Sequence, residues 1–128
     1  MSTATILVVE DNVKNLKLIR DVLDFAGYDV VAASSAEQGV AIAMAQPPDL
    51  VLMDLQLPGM DGTEALRRLR GSPRTSAVPV VAVTAFAMKD DRERALSAGF
   101  DGYLEKPISV RALPSQVRGF LRHEDVTP

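Results

Sequence analysis

Leu50-Val51-Leu52-Met53-Asp54 is a run of four large apolar residues that ends on one carboxylate. A run this dense, with no alternation of apolar and polar residues, fits a strand covered on both faces, as in a parallel sheet. Ile6-Leu7-Val8-Val9, Val30-Val31-Ala32-Ala33 and Val80-Val81-Ala82-Val83 have the same character, and a weaker run surrounds Tyr103-Leu104. The intervening segments have helical spacing. Helices are predicted from Asn12 to Ala26, from Ser35 to just before Pro47-Pro48, and from Asp61 to Gly71. Two more are predicted from Lys89 to Ala98 and from Ser109 to near Arg122. Strand and helix thus alternate five times, which predicts an α/β fold: a doubly wound sandwich with helices on both faces of a parallel five-stranded sheet.

Two helices carry finer expectations. In the first, Asn15, Leu18, Ile19, Val22, Leu23 and Ala26 form the expected inward face, centred on Ile19, Val22 and Ala26, and Gly27 ends it. Leu16 and Phe25 fall on opposite margins of that arc, with Phe25 expected to tuck against neighbouring helices. In the last, Pro114 would remove a hydrogen bond to the carbonyl of Val110, so either the helix is kinked or its regular part begins near Pro114.

The 128 residues suffice for one domain, expected over 1–122, with 123–128 as a polar tail. The absence of cysteine excludes disulfides and thiol chemistry, and a single histidine, His123, excludes a multi-histidine metal site. With 47% hydrophobic and 24% charged residues the composition is that of an ordinary globule rather than a disordered chain. The net charge of −3 gives no general attraction to nucleic acid or anionic membrane. Arg67, Arg68, Arg70 and Arg74 are accordingly expected to form a solvated helix end rather than a nucleic-acid contact. No signal peptide and no apolar stretch near the ~20 residues of a membrane span is found, so a cytoplasmic protein is expected.

Open α/β sheets bind ligands beyond the carboxyl ends of their strands. There stand Glu10 and Asp11 after the first strand, Asp54 at the end of the third, Thr84 at the end of the fourth, and Lys106-Pro107 after the fifth. Two carboxylates about 4 Å apart repel by ~4 kcal/mol at an effective dielectric near 20. One lysine cannot offset three of them, so a carboxylate is protonated or a cation is bound. Few oxygen ligands open to water suit Mg²⁺. A cation, a lysine and a hydroxyl together can receive a phosphoryl group, with Asp54 as nucleophile and Glu10 and Asp11 as the metal-holding pair.

Glu10-Asp11, the stretch from Asp54 through Leu55-Gln56-Leu57-Pro58-Gly59-Met60-Asp61 to Gly62, Thr84-Ala85, and Tyr103-Leu104-Glu105-Lys106-Pro107 resemble the signature of bacterial response-regulator receiver domains (CheY-like). The resemblance covers nearly the whole chain. The stretch Pro79–Lys89 with Lys106–Ser109 is most similar to the single-domain DivK-type members. It implies a flavodoxin-like fold of strand order 2-1-3-4-5 and a stand-alone response regulator of two-component or phosphorelay signalling. Such a protein takes a phosphoryl group from a histidine kinase or histidine phosphotransfer protein and signals to a downstream protein target. It implies Asp54 as phosphoacceptor, Asp11 assisted by Glu10 and the backbone carbonyl of Gln56 as Mg²⁺ ligands, and Thr84 and Lys106 as partners of the phosphoryl oxygens. Glu10 replaces the commoner aspartate, which suggests an outer-shell role. Pro107 would follow a cis bond, and Thr84 with Tyr103 would form the switch. A donor helix would dock against Asn12, Asn15, Leu16 and Ile108.

Two other classes remain open from the sequence alone. An aspartyl-nucleophile phosphatase would usually carry a second aspartate where Gln56 stands. An unphosphorylated receiver-like interaction module need not keep Asp11, Asp54, Thr84 and Lys106. A flavin mononucleotide binder would want a Ser/Thr/Gly-rich loop where Glu10-Asp11 stand.

Overall fold

The computed structural model describes residues 3–57, 59–85 and 89–122. Pro58, the Phe86-Ala87-Met88 part of the expected switch region and the tail from His123 lie outside the described residues. The elements run β1 (Thr5–Val9), α1 (Val13–Phe25), β2 (Asp29–Ala33), α2 (Ala36–Ala45), β3 (Leu50–Asp54), α3 (Gly62–Arg70), β4 (Val80–Thr84), α4 (Lys89–Ala98), β5 (Gly102–Glu105) and α5 (Leu113–Arg122). The sheet is parallel throughout, in the order β2-β1-β3-β4-β5.

Strand parity divides the core in two, because successive side chains point to opposite faces. Leu7 and Val9 of β1, Val51 and Met53 of β3, and Val80 and Ala82 of β4 pack against α2, α3 and α4. Ile6 and Val8, Leu50 and Leu52, and Val81 and Val83 pack against α1 and α5. Every residue of β3 and β4 is buried, as continuous apolar runs require. The expectation of full cover fails for β2, where Val30, Val31 and Ala32 are only half-buried. The reason is topological, since β2 is an edge strand with one strand neighbour.

Polar residues set the helix ends. The side chains of Asn12, Ser35 and Asp61 accept from the amides of Asn15, Gln38 and Thr63, each cap supplying an otherwise orphan N–H with an acceptor. Gly27, at φ 99°, adopts the left-handed conformation that terminates α1. The α1 face is rotated from the expected one. Ile19 and Leu23 are buried and Leu16 is half-buried against the same cluster, whereas Leu18 is 41% exposed and Ala26 is exposed. Phe25 does not tuck against another helix and is 96% exposed. A rotation of roughly half a residue step about the helix axis accounts for Leu16, Leu18 and Phe25, whereas Ala26 is exposed as the C-cap beyond the last helical residue.

Of the two readings of Pro114, the late start holds. Ser109 caps a preliminary turn, its Oγ accepting from Ala112 N–H at 3.1 Å and its carbonyl from Leu113 N–H at 2.9 Å. Pro114 then falls in the first turn of α5, where a missing N–H costs nothing. At the opposite end of the sheet Arg70 ties α3 to β4 and β5. Its guanidinium donates to Val78 O at 2.7 Å and to Asp101 Oδ2 at 2.6 Å, and Asp101 Oδ2 also accepts from Val80 N–H.

Two helical glycines predict opposite outcomes. A Cβ on Gly39 of α2 would lie 2.7 Å from Val9 Cγ2, whereas one on exposed Gly119 of α5 meets nothing within 4 Å. Gly39→Ala is expected to destabilise by about 1–3 kcal/mol through overpacking. Gly119→Ala is expected to stabilise by about 0.5–1 kcal/mol through helix propensity. Urea unfolding of both variants checks the pair, and equal shifts of one sign would contradict the packing assigned to Gly39.

Candidate phosphoacceptor site

The carboxyl ends of the strands are level because the pairing is in register. Val9 lies opposite Met53, Asp54 opposite Val83, and Thr84 opposite Glu105. Backbone bonds continue that register past the strands, from Glu10 N–H to Ala33 O, Leu55 N–H to Val83 O and Lys106 N–H to Thr84 O. Glu10, Asp54 and Thr84 are therefore fixed by the sheet itself, and each is 2% exposed. Glu10 and Asp54 continue the parity of Val8 and Leu52, toward α1 and α5. Thr84 continues that of Ala82, toward α4.

Lys106 bridges the two buried acids. Its Nζ donates to Asp54 Oδ2 at 2.9 Å and stands 3.2 Å from Glu10 Oε1. The other oxygens are held by backbone, Asp54 Oδ1 accepting from Gln56 N–H at 2.8 Å and Glu10 Oε2 from Asn12 N–H at 3.0 Å. Burial alone would lower the pKa of Lys106. The hydrogen bond and charge of Asp54, and then the ion-pair contact with Glu10, outweigh it and raise the pKa above the ordinary lysine value. Burial is likewise the main influence on Glu10 and pushes its carboxyl up. The Asn12 amide opposes this, the charge of Asp54 adds to it, and Lys106 offsets part.

Exposed Asp11 completes a triad in which one carboxylate oxygen each from Glu10, Asp11 and Asp54 lies within 4.8 Å of the others. Three acids face one ammonium. Glu10 Oε1, although buried and near Lys106, has no aligned hydrogen-bond donor. A buried carboxylate oxygen without a donor, in an all-oxygen cluster open to solvent on the Asp11 side, fits a hard divalent cation.

The remaining expected residues are distributed around this centre. Tyr103 is half-buried on the α4 face of β5, with the guanidinium carbon of Arg92 5.9 Å from its ring centroid. The Lys106–Pro107 bond is cis. Asn12 is an exposed cap, while Asn15 and Ile108 line a cleft of about 310 Å³ that opens beside Glu10, Lys106 and Ala85. Leu16 is half-buried, and the cleft wall itself includes Leu18, which the expected helical face had turned inward. One contact was absent from the sequence expectations altogether. The side chain of Gln56 reaches across to the loop after β4, where its Oε1 accepts from Ala85 N–H at 2.7 Å. A long amide side chain two residues after Asp54 was the available signal.

Comparison with known proteins accords with this geometry. The response regulator receiver domain family matches residues 6–118. The chain is 40% identical to the polar-differentiation response regulator DivK of Brucella ovis over 119 residues, 93% of this chain and 97% of that one. It is 37% identical to the receiver domain of a sensor histidine kinase from Pseudomonas aeruginosa PAO1, a structure with a magnesium ion coordinated in its active-site cleft. That comparison has a TM-score of 0.85 and covers 94% of this chain and 98% of the other. Chemotaxis response regulator CheY4 of Vibrio cholerae shares the fold, with a TM-score of 0.87 at 23% identity over 93% of this chain and 99% of that one. This chain belongs to the response regulator receiver domain family, proteins of two-component signalling.

Proposed function

We propose that Asp54 accepts a phosphoryl group from a phosphohistidine, carried by a histidine kinase or a histidine phosphotransfer protein. The observation that supports it most is the pair of contacts on Asp54. Lys106 Nζ at one oxygen and Gln56 N–H at the other hold a buried, oriented carboxylate at the end of the central strand. In the transfer an Asp54 oxygen forms a bond to phosphorus as the bond between phosphorus and the donor imidazole nitrogen breaks, its electron pair leaving with the ring. Lys106 neutralises charge on the phosphoryl oxygens, and the Thr84 hydroxyl donates to one of them. The domain therefore assists its own phosphorylation without being a separate catalyst.

Asp11, the backbone carbonyl of Gln56 and Asp54 would hold magnesium, with Glu10 in support. When bound, the ion supplies the positive charge that three acids and one lysine lack. The Thr84 hydroxyl, drawn toward the phosphoryl group, would leave room for the ring of Tyr103, and the two packings form the switch read by a downstream protein. Among the described residues no helix is long and apolar enough to cross a membrane. A cytoplasmic protein that signals by protein contacts, without nucleic acid, is the reading that fits these features. The cleft between the start of α1 and the loop after Lys106 is the proposed docking place for the donor helix. Leu18 and Ile108 would be its apolar anchors and Asn15 part of its rim.

Three measurements check this reading. Incubation with acetyl phosphate and Mg²⁺, followed by borohydride trapping and mass spectrometry, should place the label on Asp54. Equal labelling of Asp54→Asn would overturn the assignment. Mg²⁺ titration should show affinity reduced at least about tenfold in Asp11→Asn, the usual scale for losing a metal-site group, and less in Glu10→Gln. Equal affinity of wild type and Asp11→Asn would remove Asp11 from the ligand set. Leu18→Ala should slow transfer from a phosphotransfer protein while labelling by acetyl phosphate stays unchanged. A fall in both rates, or in neither, removes Leu18 from the docking surface.

A further inference from the structure

Gln56 touches the site in two ways that the phosphoacceptor reading does not use together. Its backbone N–H orients Asp54 through Oδ1 at 2.8 Å, and its side-chain Oε1 takes the Ala85 N–H at 2.7 Å. Ala85 directly follows buried Thr84 and lines the same cleft as Glu10 and Lys106. Its amide thus donates to a side chain that stands two residues after Asp54. A phosphoryl group on Asp54 brings three strong acceptor oxygens to a site where, among the described residues, the Lys106 ammonium, the Thr84 hydroxyl and this amide are the candidate donors. A neutral amide oxygen is a weaker acceptor than an anionic phosphoryl oxygen, so a phosphoryl oxygen within reach of Ala85 N–H would displace the Gln56 side chain from it.

We infer that the Gln56 side chain is a latch. It stands in for a phosphoryl oxygen at Ala85 N–H in the unphosphorylated chain, ties the loop after β3 to the loop after β4, and must be displaced before Asp54 is phosphorylated. The inference rests on Asp54 being the phosphoacceptor and adds a residue that opposes loading. Gln56 and Ala85 are both exposed, so the bond is in contact with water. Its net worth is that of one ordinary hydrogen bond, a factor of roughly two to ten in an equilibrium.

The test uses the full chain with Gln56→Met, which keeps length but has no amide acceptor, and Gln56→Ala. Both keep the backbone N–H and carbonyl of position 56, and the exposed position leaves the unfolding midpoint near that of wild type. Without metal, hydrogen exchange at the Ala85 amide should be about two- to tenfold faster in both variants. With Mg²⁺, beryllofluoride, a phosphoryl mimic, should bind both variants about two- to tenfold more tightly than wild type. Unchanged or weaker binding by Gln56→Met overturns the latch while leaving Asp54 as acceptor, provided that wild type takes up the mimic. If wild type takes up neither beryllofluoride nor a phosphoryl group from acetyl phosphate, the phosphoacceptor reading falls and the latch with it.

Discussion

The ammonium of Lys106 lies between two buried carboxylates, Asp54 and Glu10, and the other features of the site follow from that constraint. A buried acid is costly unless it is paired and its remaining lone pairs find donors. Two acids, each 2% exposed, share one cation here, with one backbone N–H apiece. The arrangement is electrically incomplete, and the shortfall sits where Asp11 opens it to solvent. Apolar packing of the same volume would be at least as stabilising. The geometry is therefore better understood as preparation for added charge, a cation on the acids and an anion against the lysine, than as a source of stability.

The parallel sheet turns that electrostatic arrangement into a device with two sides. Asp54 and Glu10 share strand parity with the α1 and α5 face, while Thr84 and Tyr103 belong to the face of α4. β3 and β4 are adjacent, so the proposed chemistry on one face and the proposed packing change on the other are one strand apart. Lys106 N–H is bonded to Thr84 O, which links the residue that carries the ammonium of the site directly to the backbone of Thr84. Close packing between the strands leaves the interior little room for graded deformation, which favours two discrete arrangements over a continuum.

The exposed apolar residues of α1 show how a small rotation redistributes roles. Turning the helix by roughly half a residue step leaves Leu16 half-buried against the cluster that holds Leu23 and brings Leu18 into the cleft with Asn15 and Ile108. Asn12, expected as part of a docking rim, is occupied in starting the helix. The cap and the rim are not exclusive, because the cap uses one oxygen and leaves the amide nitrogen at the surface.

The strands and their order of polar endings were legible in the sequence, because four dense apolar runs admit few structures and each stops at a polar residue. Glu10, Asp11, Asp54, Thr84 and Lys106 could be named for the same reason, since a parallel sheet brings its strand ends to one edge whatever the side chains between them. The start of α5 was narrowed to two choices by Pro114, whose ring forbids a regular turn before it. What one chain's periodicity does not contain is the angle at which a helix settles or the neighbour that a flexible side chain selects. The inward face of α1 depends on its contact with β1, β2 and α5, so Leu18 turned outward where the expected face had it inward, and Phe25 was left in solvent. The half-burial of β2 depends on its position at the sheet edge, which its own Val30-Val31-Ala32 cannot reveal. The reach of Gln56 to Ala85 joins residues 29 positions apart, and only the register between β3 and β4 brings that amide within its span.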